Sequence, residues 1–495
     1  MAIKEAGKSL IQNTFKQTGR GITSRKRKRI KVFEKRPELK PSKRCCKIDI
    51  TKSKSGKTSK KTKETKRGNQ KAIFENSSPV IRSEVDFFQV LPTDASIEKS
   101  LYVEYTPTTN VQENSSQIEF VIPESSNFYR DFQKSFMYIV CQVVNDDNSN
   151  LPNEVIPPPE YYYDETAKTI QLKAYKEPDH LVAPVNNIGH SLFSQCDCFI
   201  NDVMVSQTNN LYGYRGIMEA MLNYGSEYKT CQGGLSLYTQ EKHPHEFQTK
   251  IDDGYKQRYE AVKGSKMLEL ISKPCADIFH LPKYLLNGTC IKLKFTRNSH
   301  EFCLLKPSTS AKKYKIKIHS ASLFIISHQL YPWLRVAHEK LLSQNHSAKY
   351  SFRRVEMKTF LVSTGSKSIS KENLFYGHVP VRIVVDFVDN AAVIGSSTLN
   401  PFAFDNFDVS YFSVLVDDEQ ICFKPLKLDF DSNQSLLGFY TLLTSSGVAH
   451  QDLGIGLNRE DYITSSKALF AFNLCPAVED DVFSIHRTGN IRYSI

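Results

Sequence analysis

From about Ser83 to the end of the chain, apolar and polar residues alternate in short runs broken by Pro, Asn, Asp and Gly. "SLYVEYTP" (100–107), "SQIEFVIPES" (116–125), "FMYIVCQVVNDDNSN" (136–150), "TIQLKAY" (169–175) and "IKLKFTRN" (291–298) are examples. "YKIKIHSASLFIIS" (314–327), "VRIVVDFVDN" (381–390), "VSYFSVLVDDEQICF" (409–423) and "ALFAFNL" (468–474) continue the pattern. A period of two puts every second side chain on one face, the signature of a half-buried strand. Many short strands with frequent turn signals predict an all-β sandwich or barrel. The Pro-rich stretch at 145–165 is unsuited to a core strand and is expected to form an exposed excursion.

Three stretches follow the helical period instead. "YGYRGIMEAMLNYG" (212–225) puts Ile217, Met218, Met221 and Leu222 on one face and closes on Gly225. "PWLRVAHEKLLS" (332–343) opens with Pro at a first helical position, and "QSLLGFYTLLTSSG" (434–447) ends on Gly. Ile3, Leu10, Ile11 and Phe15 add a faint helical pattern over 3–16.

The first and third helices expose an internal repeat. In the first half, "CDCFI", the turn Asn201-Asp202 and "VMVS" lead to Gly213-Tyr214 and a short helix. In the second, "FSVLV", the turn Asp417-Asp418 and "EQICF" lead to Gly438-Phe439 and another. The turns are 216 residues apart and the Gly-aromatic pairs 225. Two copies of one β domain, joined near 329–351, account for this spacing.

Composition changes the picture at the N-terminus. The chain has 495 residues and a net charge of +12. Residues 1–80 hold 25 Lys plus Arg and 6 Asp plus Glu, net +19, which leaves 40 basic and 47 acidic groups, net −7, for the other 415. This segment is rich in Lys, Ser and Thr and buries too little apolar surface to offset its ordering entropy, so a disordered arm is expected. Its clusters are Arg25, Lys26, Arg27, Lys28 and Arg29, then Lys43, Arg44 and Lys47. They suit non-specific phosphate contacts, nuclear import, or a solvated tail. "QTGRG" (17–21) is similar to a cleavage sequence of adenovirus-type proteases, which favour one Gly two residues before the cut and another just after it; the cut would fall between Arg20 and Gly21. Eleven scattered cysteines and a start without an apolar signal-peptide core suggest a reduced, intracellular protein, and no run approaches a membrane span.

Candidate chemistry is sparse. Cys196 and Cys198 flank Asp197, but a zinc site needs about four ligands and a second pair at usable spacing. At i and i+2 of a strand they share a face with Ile200 as small apolar residues. "SGKTSK" (55–60) has Thr51 where a phosphate loop opens with Gly, and it lies in the Lys-rich arm. "HEKLL" (338–342) carries Leu342 where a zinc protease has its second His, and His243, His245 and Glu246 sit in a polar stretch. No cofactor, metal or catalytic residue is assigned.

Residues from about 82 to 495 resemble the major capsid proteins of Polinton/Maverick elements and the related adintoviruses. The matching stretches include "RSEVDFFQVLPTDASIEKSLYVEYTP", "NNIGHSLFSQCDCFINDVMVSQTNNLYGYRGIMEAMLNYG" and "HLPKYLLNGTCIKLKF". "AHEKLLSQNHSAKYSFRRVEMKTFLVSTGSKSISKENLFYG", "FVDNAAVIGSSTLNPFAFDNFDVSYFSVLVDDEQICFKPLKLDF" and "GIGLNREDYITSSKALFAFNL" follow in the same order. The resemblance implies a hexon-like double jelly roll: two eight-stranded sandwiches in tandem with short helices, trimerising into pseudo-hexagonal capsomers of an icosahedral shell. It implies a structural protein of a DNA virus, found in the virion and, during assembly, in host nucleus or cytoplasm. The expected organisation is an arm at 1–80, a first jelly roll at 81–328, a helical connector at 329–351 and a second jelly roll at 352–495. The end, "RTGNIRYSI", stops where relatives continue through at least one more strand. The last sheet is therefore expected to lack a strand, unless Arg492, Tyr493 and Ile495 form a shortened one or a partner completes it. The implied partners are two further copies, neighbouring capsomers, minor capsid and penton proteins, and packaged DNA through the arm. The alternative is a host-adopted nuclear protein that uses the β body for binding and the arm for import or DNA tethering. A carbohydrate-binding or hydrolytic jelly roll stands third.

Overall fold

The alternation of Gln117–Ile122 becomes a strand whose Ile118, Phe120 and Ile122 are buried while its other three residues are half-buried. In the computed structural model the described residues are 2–7 and 82–495, without 89, 91–92, 112–114, 157–160, 165–168, 173–180, 207, 246–251, 373–374, 376–377, 421–423 and 476–486.

Among the described residues, eight strands form the first sandwich: β2 (Ile97–Tyr105), β3 (Gln117–Ile122), β4 (Phe128–Asn145), β5 (Phe193–Ile200), β6 (Val203–Ser206), β7 (Leu268–Ser272), β8 (Ile291–Arg297) and β9 (Tyr314–Leu330). They make two four-stranded sheets, ordered β2-β9-β4-β7 and β3-β8-β5-β6, with every pairing antiparallel. Counted along the chain, the sheets read 1-8-3-6 and 2-7-4-5, which is the jelly-roll winding. The core between them is aromatic. Phe295 of β8 lies 6.1 Å from Phe120 and 5.0 Å from Phe193, centroid to centroid, and Phe132 meets Phe279 edge-on at 5.2 Å. Burying each such ring contributes roughly 1.5–3 kcal/mol.

The second half repeats the winding with seven strands of its own among the described residues: β10 (Arg353–Lys358), β11 (Ser370–Lys371), β12 (Arg382–Val385), β13 (Tyr411–Val416), β14 (Leu426–Lys427), β15 (Phe470–Asn473) and β16 (Ile491–Ser494). One sheet runs β11-β16-β13-β14, again 2-7-4-5. The other runs β10-β1-β12-β15, where β1 is Ala2–Gly7. The place held by the eighth strand in the first sandwich is thus filled from the N-terminus, where the sequence pattern suggested a helix. Arg492 and Tyr493 belong to the seventh strand.

The chain is an all-β double jelly roll with few short helices. The hairpin turns of the repeat occupy equivalent positions, between β5 and β6 and after β13. Asn201 and Asp202 have φ of 47° and 62°, Asp417 and Asp418 52° and 64°. Two successive left-handed residues are what a tight two-residue hairpin demands, and Asn and Asp tolerate that conformation best. The three periodic stretches are helices: α1 (Tyr212–Asn223), α3 (Pro332–Ser343) and α4 (Leu436–Ser445). A further helix, α2 (Asp253–Val262), starts at Asp252, whose carboxylate accepts from the Gly254 N–H at 2.8 Å. The 145–165 excursion differs from expectation: Leu151 and Ile156 are buried, and Tyr161–Asp164 pairs with Thr169–Leu172.

Candidate functional site

The cysteine pair lies on β5, where Cys196 is opposite Phe295 and Cys198 opposite Leu293. Both are fully buried, and burial pushes both thiols above their ordinary pKa. Asp197 between them is held by the Gln195 amide at 2.8–2.9 Å. These are core positions of a strand. Among the described residues, no three of His, Cys, Asp and Glu gather as metal ligands. His245 pairs instead with Asp405 of the second half at 2.7 Å, and that hydrogen bond raises its pKa. His338 on α3 contacts the Tyr129 hydroxyl at 3.0 Å.

Buried polar groups that sequence patterning did not reveal link the two sandwiches through Glu241, which Arg258 holds in place, and through Lys229. Arg258, fully buried on α2, donates to the Pro184 carbonyl at 2.8 Å, to the Thr239 hydroxyl and to the Glu241 carboxylate. Asn400, from the second half, donates to Glu241 at 3.4 Å and to the Pro244 carbonyl at 3.3 Å. Lys229 reaches from the first half to the Ile455 carbonyl at 2.5 Å, and burial lowers its pKa to about 8. Phe402 packs edge-on against Tyr214 at 5.5 Å and Phe302 at 5.9 Å. Buried polar groups with good partners fix geometry more than they add stability. The two sandwiches are therefore held as one body.

A cavity of about 1170 Å³ opens between α1 and the sheet β10-β1-β12-β15, with Arg215, Glu219, His280, Arg353, Arg382 and Asp452 on its wall. Arg215 bridges Glu219 at 2.7 Å and the buried Asp277 at 2.8 Å. Burial acts to raise the Glu219 carboxyl, but Arg215 and His280 beside it hold it below the usual carboxylate range. These charges anchor α1 against the turn at Asp277, a structural use.

An apolar surface lies on the connector. None of the residues of α3 is buried, and Trp333, Val336 and Leu341 are 61%, 58% and 49% exposed. The helix is tied down by polar contacts, with Arg335 donating to Asn127 at 2.9 Å. Phe360, Leu361 and Val362 after β10 are exposed as well. Contiguous exposed apolar residues mark association surfaces. The basic positions Arg25, Lys26, Arg27, Lys28, Arg29, Lys43, Arg44 and Lys47 and the cleavage candidate Arg20-Gly21 lie outside the described residues.

No family model matches the chain. An uncharacterized protein of Caenorhabditis elegans is 22% identical over 382 residues, covering 75% of this chain and 84% of that one. Among solved structures, one of the Sputnik virophage is 10% identical with a TM-score of 0.45, over 86% of this chain and 87% of its own. The PBCV-1 virus capsid gives 10% and 0.44 over 82% and 86%, and the mavirus major capsid protein 10% and 0.40 over 85% and 88%. The chain's own strand order, rather than these likenesses, defines it as a double jelly roll. No helix among the described residues is long and apolar enough to cross a membrane.

Proposed function

We propose that the protein is a major capsid protein of the Polinton/Maverick and adintovirus kind, a non-enzymatic tile that trimerises into pseudo-hexagonal capsomers. The carrying observation is the duplication: two sandwiches of one winding fixed as a single body by Arg258, Glu241, Asn400 and Lys229. Three such bodies around an axis present six similar sandwiches, so one chain type fills a six-cornered lattice site. Exposed Trp333, Val336 and Leu341 on α3 supply apolar surface for contacts between copies. The arm residues Arg25–Arg29, Lys43, Arg44 and Lys47 then neutralise phosphates of packaged DNA without reading bases, and Arg20-Gly21 is a processing point on that arm. Residence is the virion, with nucleus or cytoplasm as the assembly site and minor capsid and penton proteins as neighbours.

The test is the solution mass of the full chain by light scattering after size exclusion, with negative-stain images of the peak. A trimer with a six-cornered outline is expected. A folded monomer at micromolar concentration overturns the capsomer reading and favours the nuclear binding module.

A further inference from the structure

The two sandwiches differ in what covers their equivalent sheets. In the second, Arg382 and Val384 of β12 stand opposite Asn473 and Ala471 of β15, while Ile383 and Val385 stand opposite Phe472 and Phe470. Phe470 and Phe472 pack on Phe412 of the other sheet, at 5.4 and 5.0 Å, so theirs is the core side. Val384 and Ala471 are therefore on the outer side, yet both are buried. They line the cavity that this sheet shares with Arg215, Met218, Glu219 and Leu222 of α1. The turn Asp277–His280 lies against β10. The first sandwich thus supplies a cover for the outer face of the second.

Among the described residues, the first sandwich leaves its own equivalent face partly open. On β4, Met137, Ile139, Cys141 and Val143 are buried, and Phe136, Tyr138 and Val140 between them face outward, half-buried. Register carries that outer face across the sheet β2-β9-β4-β7. Phe136 is opposite Phe324 of β9, Tyr138 opposite Ile271 of β7, and Ile326 of β9 opposite Tyr102 of β2. Phe136 stacks on Phe324 at 5.1 Å and lies 5.9 Å from Tyr102, which is 59% exposed. Aromatic residues are enriched at the centres of association surfaces, and contiguous exposed apolar area marks them.

We propose, on the capsomer reading above, that the cover found inside the chain is repeated between chains: Leu436, Tyr440 and Leu443 on α4 of one copy seat over the Tyr102, Phe136 and Phe324 face of the next. The internal repeat selects this occupant. At its offset of 225 residues, Tyr440 and Leu443 take the places of Arg215 and Met218, two of the residues that line the cavity under α1. Leu436 heads the same helical stripe and is 56% exposed, and Tyr440 and Leu443 are half-buried. The exchange of Arg215 for Tyr440 suits the two settings. Within the chain Arg215 is permanently paired with Asp277 at 2.8 Å, whereas a joint that forms on association avoids desolvating a charge. The joint is heterologous: each copy offers one face and one helix, and neither mates with itself. Such contacts add chains head to tail and close into a ring where the rotation permits. With two sandwiches in each chain, three chains make a ring of six, joined three times within chains and three times between them.

Tyr102→Glu and Leu436→Glu in the full chain test each side of the joint by sedimentation velocity. Both positions are exposed, so the melting temperature should stay within about 2 °C of the unaltered chain. Each variant alone is expected to weaken self-association by about tenfold or more and to sediment as a monomer where the unaltered chain is a trimer. Mixed in equal amounts, the two are expected to form a dimer and nothing larger. The intact face of the Leu436→Glu chain then meets the intact α4 of the Tyr102→Glu chain, and the other two surfaces are blocked. If either folded variant still trimerises, the joint is overturned and the capsomer reading stands; a mixture without dimer also overturns it. A monomeric unaltered chain overturns the capsomer reading, and this joint with it.

Discussion

Asp386 offers a test of the second sandwich in which magnitude and sign both follow from burial. Its carboxyl is wholly buried at the end of β12, and burial lifts its pKa from 3.8 to about 6. The folded protein therefore keeps this proton over a range in which the unfolded chain has released it. Stability accordingly falls as the pH rises from about 4 to about 6 and is level above that. At 1.36 kcal/mol for each unit, a displacement of about two units amounts to about 3 kcal/mol. Asp386→Asn keeps the shape and removes the ionisation. The variant should match the unaltered protein near pH 4 and exceed it by up to about 3 kcal/mol at pH 7. Guanidinium unfolding followed by circular dichroism at pH 4, 5, 6 and 7 gives both curves, and subtracting them cancels every other titrating group. Parallel curves, with a difference constant to about 0.5 kcal/mol, would refute the reasoning.

Phe412 is fully buried, with Phe470 at 5.4 Å and Phe472 at 5.0 Å, so Phe412→Ala should cost about 3–5 kcal/mol in an unfolding titration. A loss below about 1 kcal/mol would mean that these rings do not form the core of the second sandwich. Replacing Arg25, Lys26, Arg27, Lys28 and Arg29 by Ala should reduce the slope of log affinity for duplex DNA against log salt by about 4–5 and leave the melting temperature unchanged. An unchanged slope removes these five from the phosphate contacts. In a thiol-labelling time course, Cys231 is exposed and should react in the native state, whereas Cys196 and Cys198 should react only on unfolding; native labelling of either would contradict their place in the core.

Much of the fold was legible because it is written locally. Period-two alternation over 117–122 and 291–297 survives as buried and half-buried faces, and Asn201-Asp202 and Asp417-Asp418 announce their hairpins through residue type alone. The strand reading of Cys196 and Cys198 follows from the same parity. Helix α2 left signals that went unread: Asp252 as cap, then Tyr255, Arg258, Tyr259 and Val262 at helical spacing. Its core face carries an Arg, which breaks an apolar-only pattern. Asn400 lies 159 residues from Glu241, and Lys229 226 from Ile455. Nothing local in either partner announces such a pairing, because winding alone brings them together. In the 145–165 excursion, Pro content correctly argued against a core strand but said nothing of Leu151 and Ile156, which are buried singly.

The N-terminal strand is the sharpest case, and its illegibility has a cause. "AIKEAG" is made of residues that suit a helix as well as a strand, and six residues are too few for a period to declare itself. A strand between two preformed edges needs little propensity of its own, since the acceptor supplies hydrogen-bonding partners on both sides and only the register remains to be chosen. The information that makes Ala2–Gly7 a strand therefore resides largely in β10 and β12, some 350 residues away.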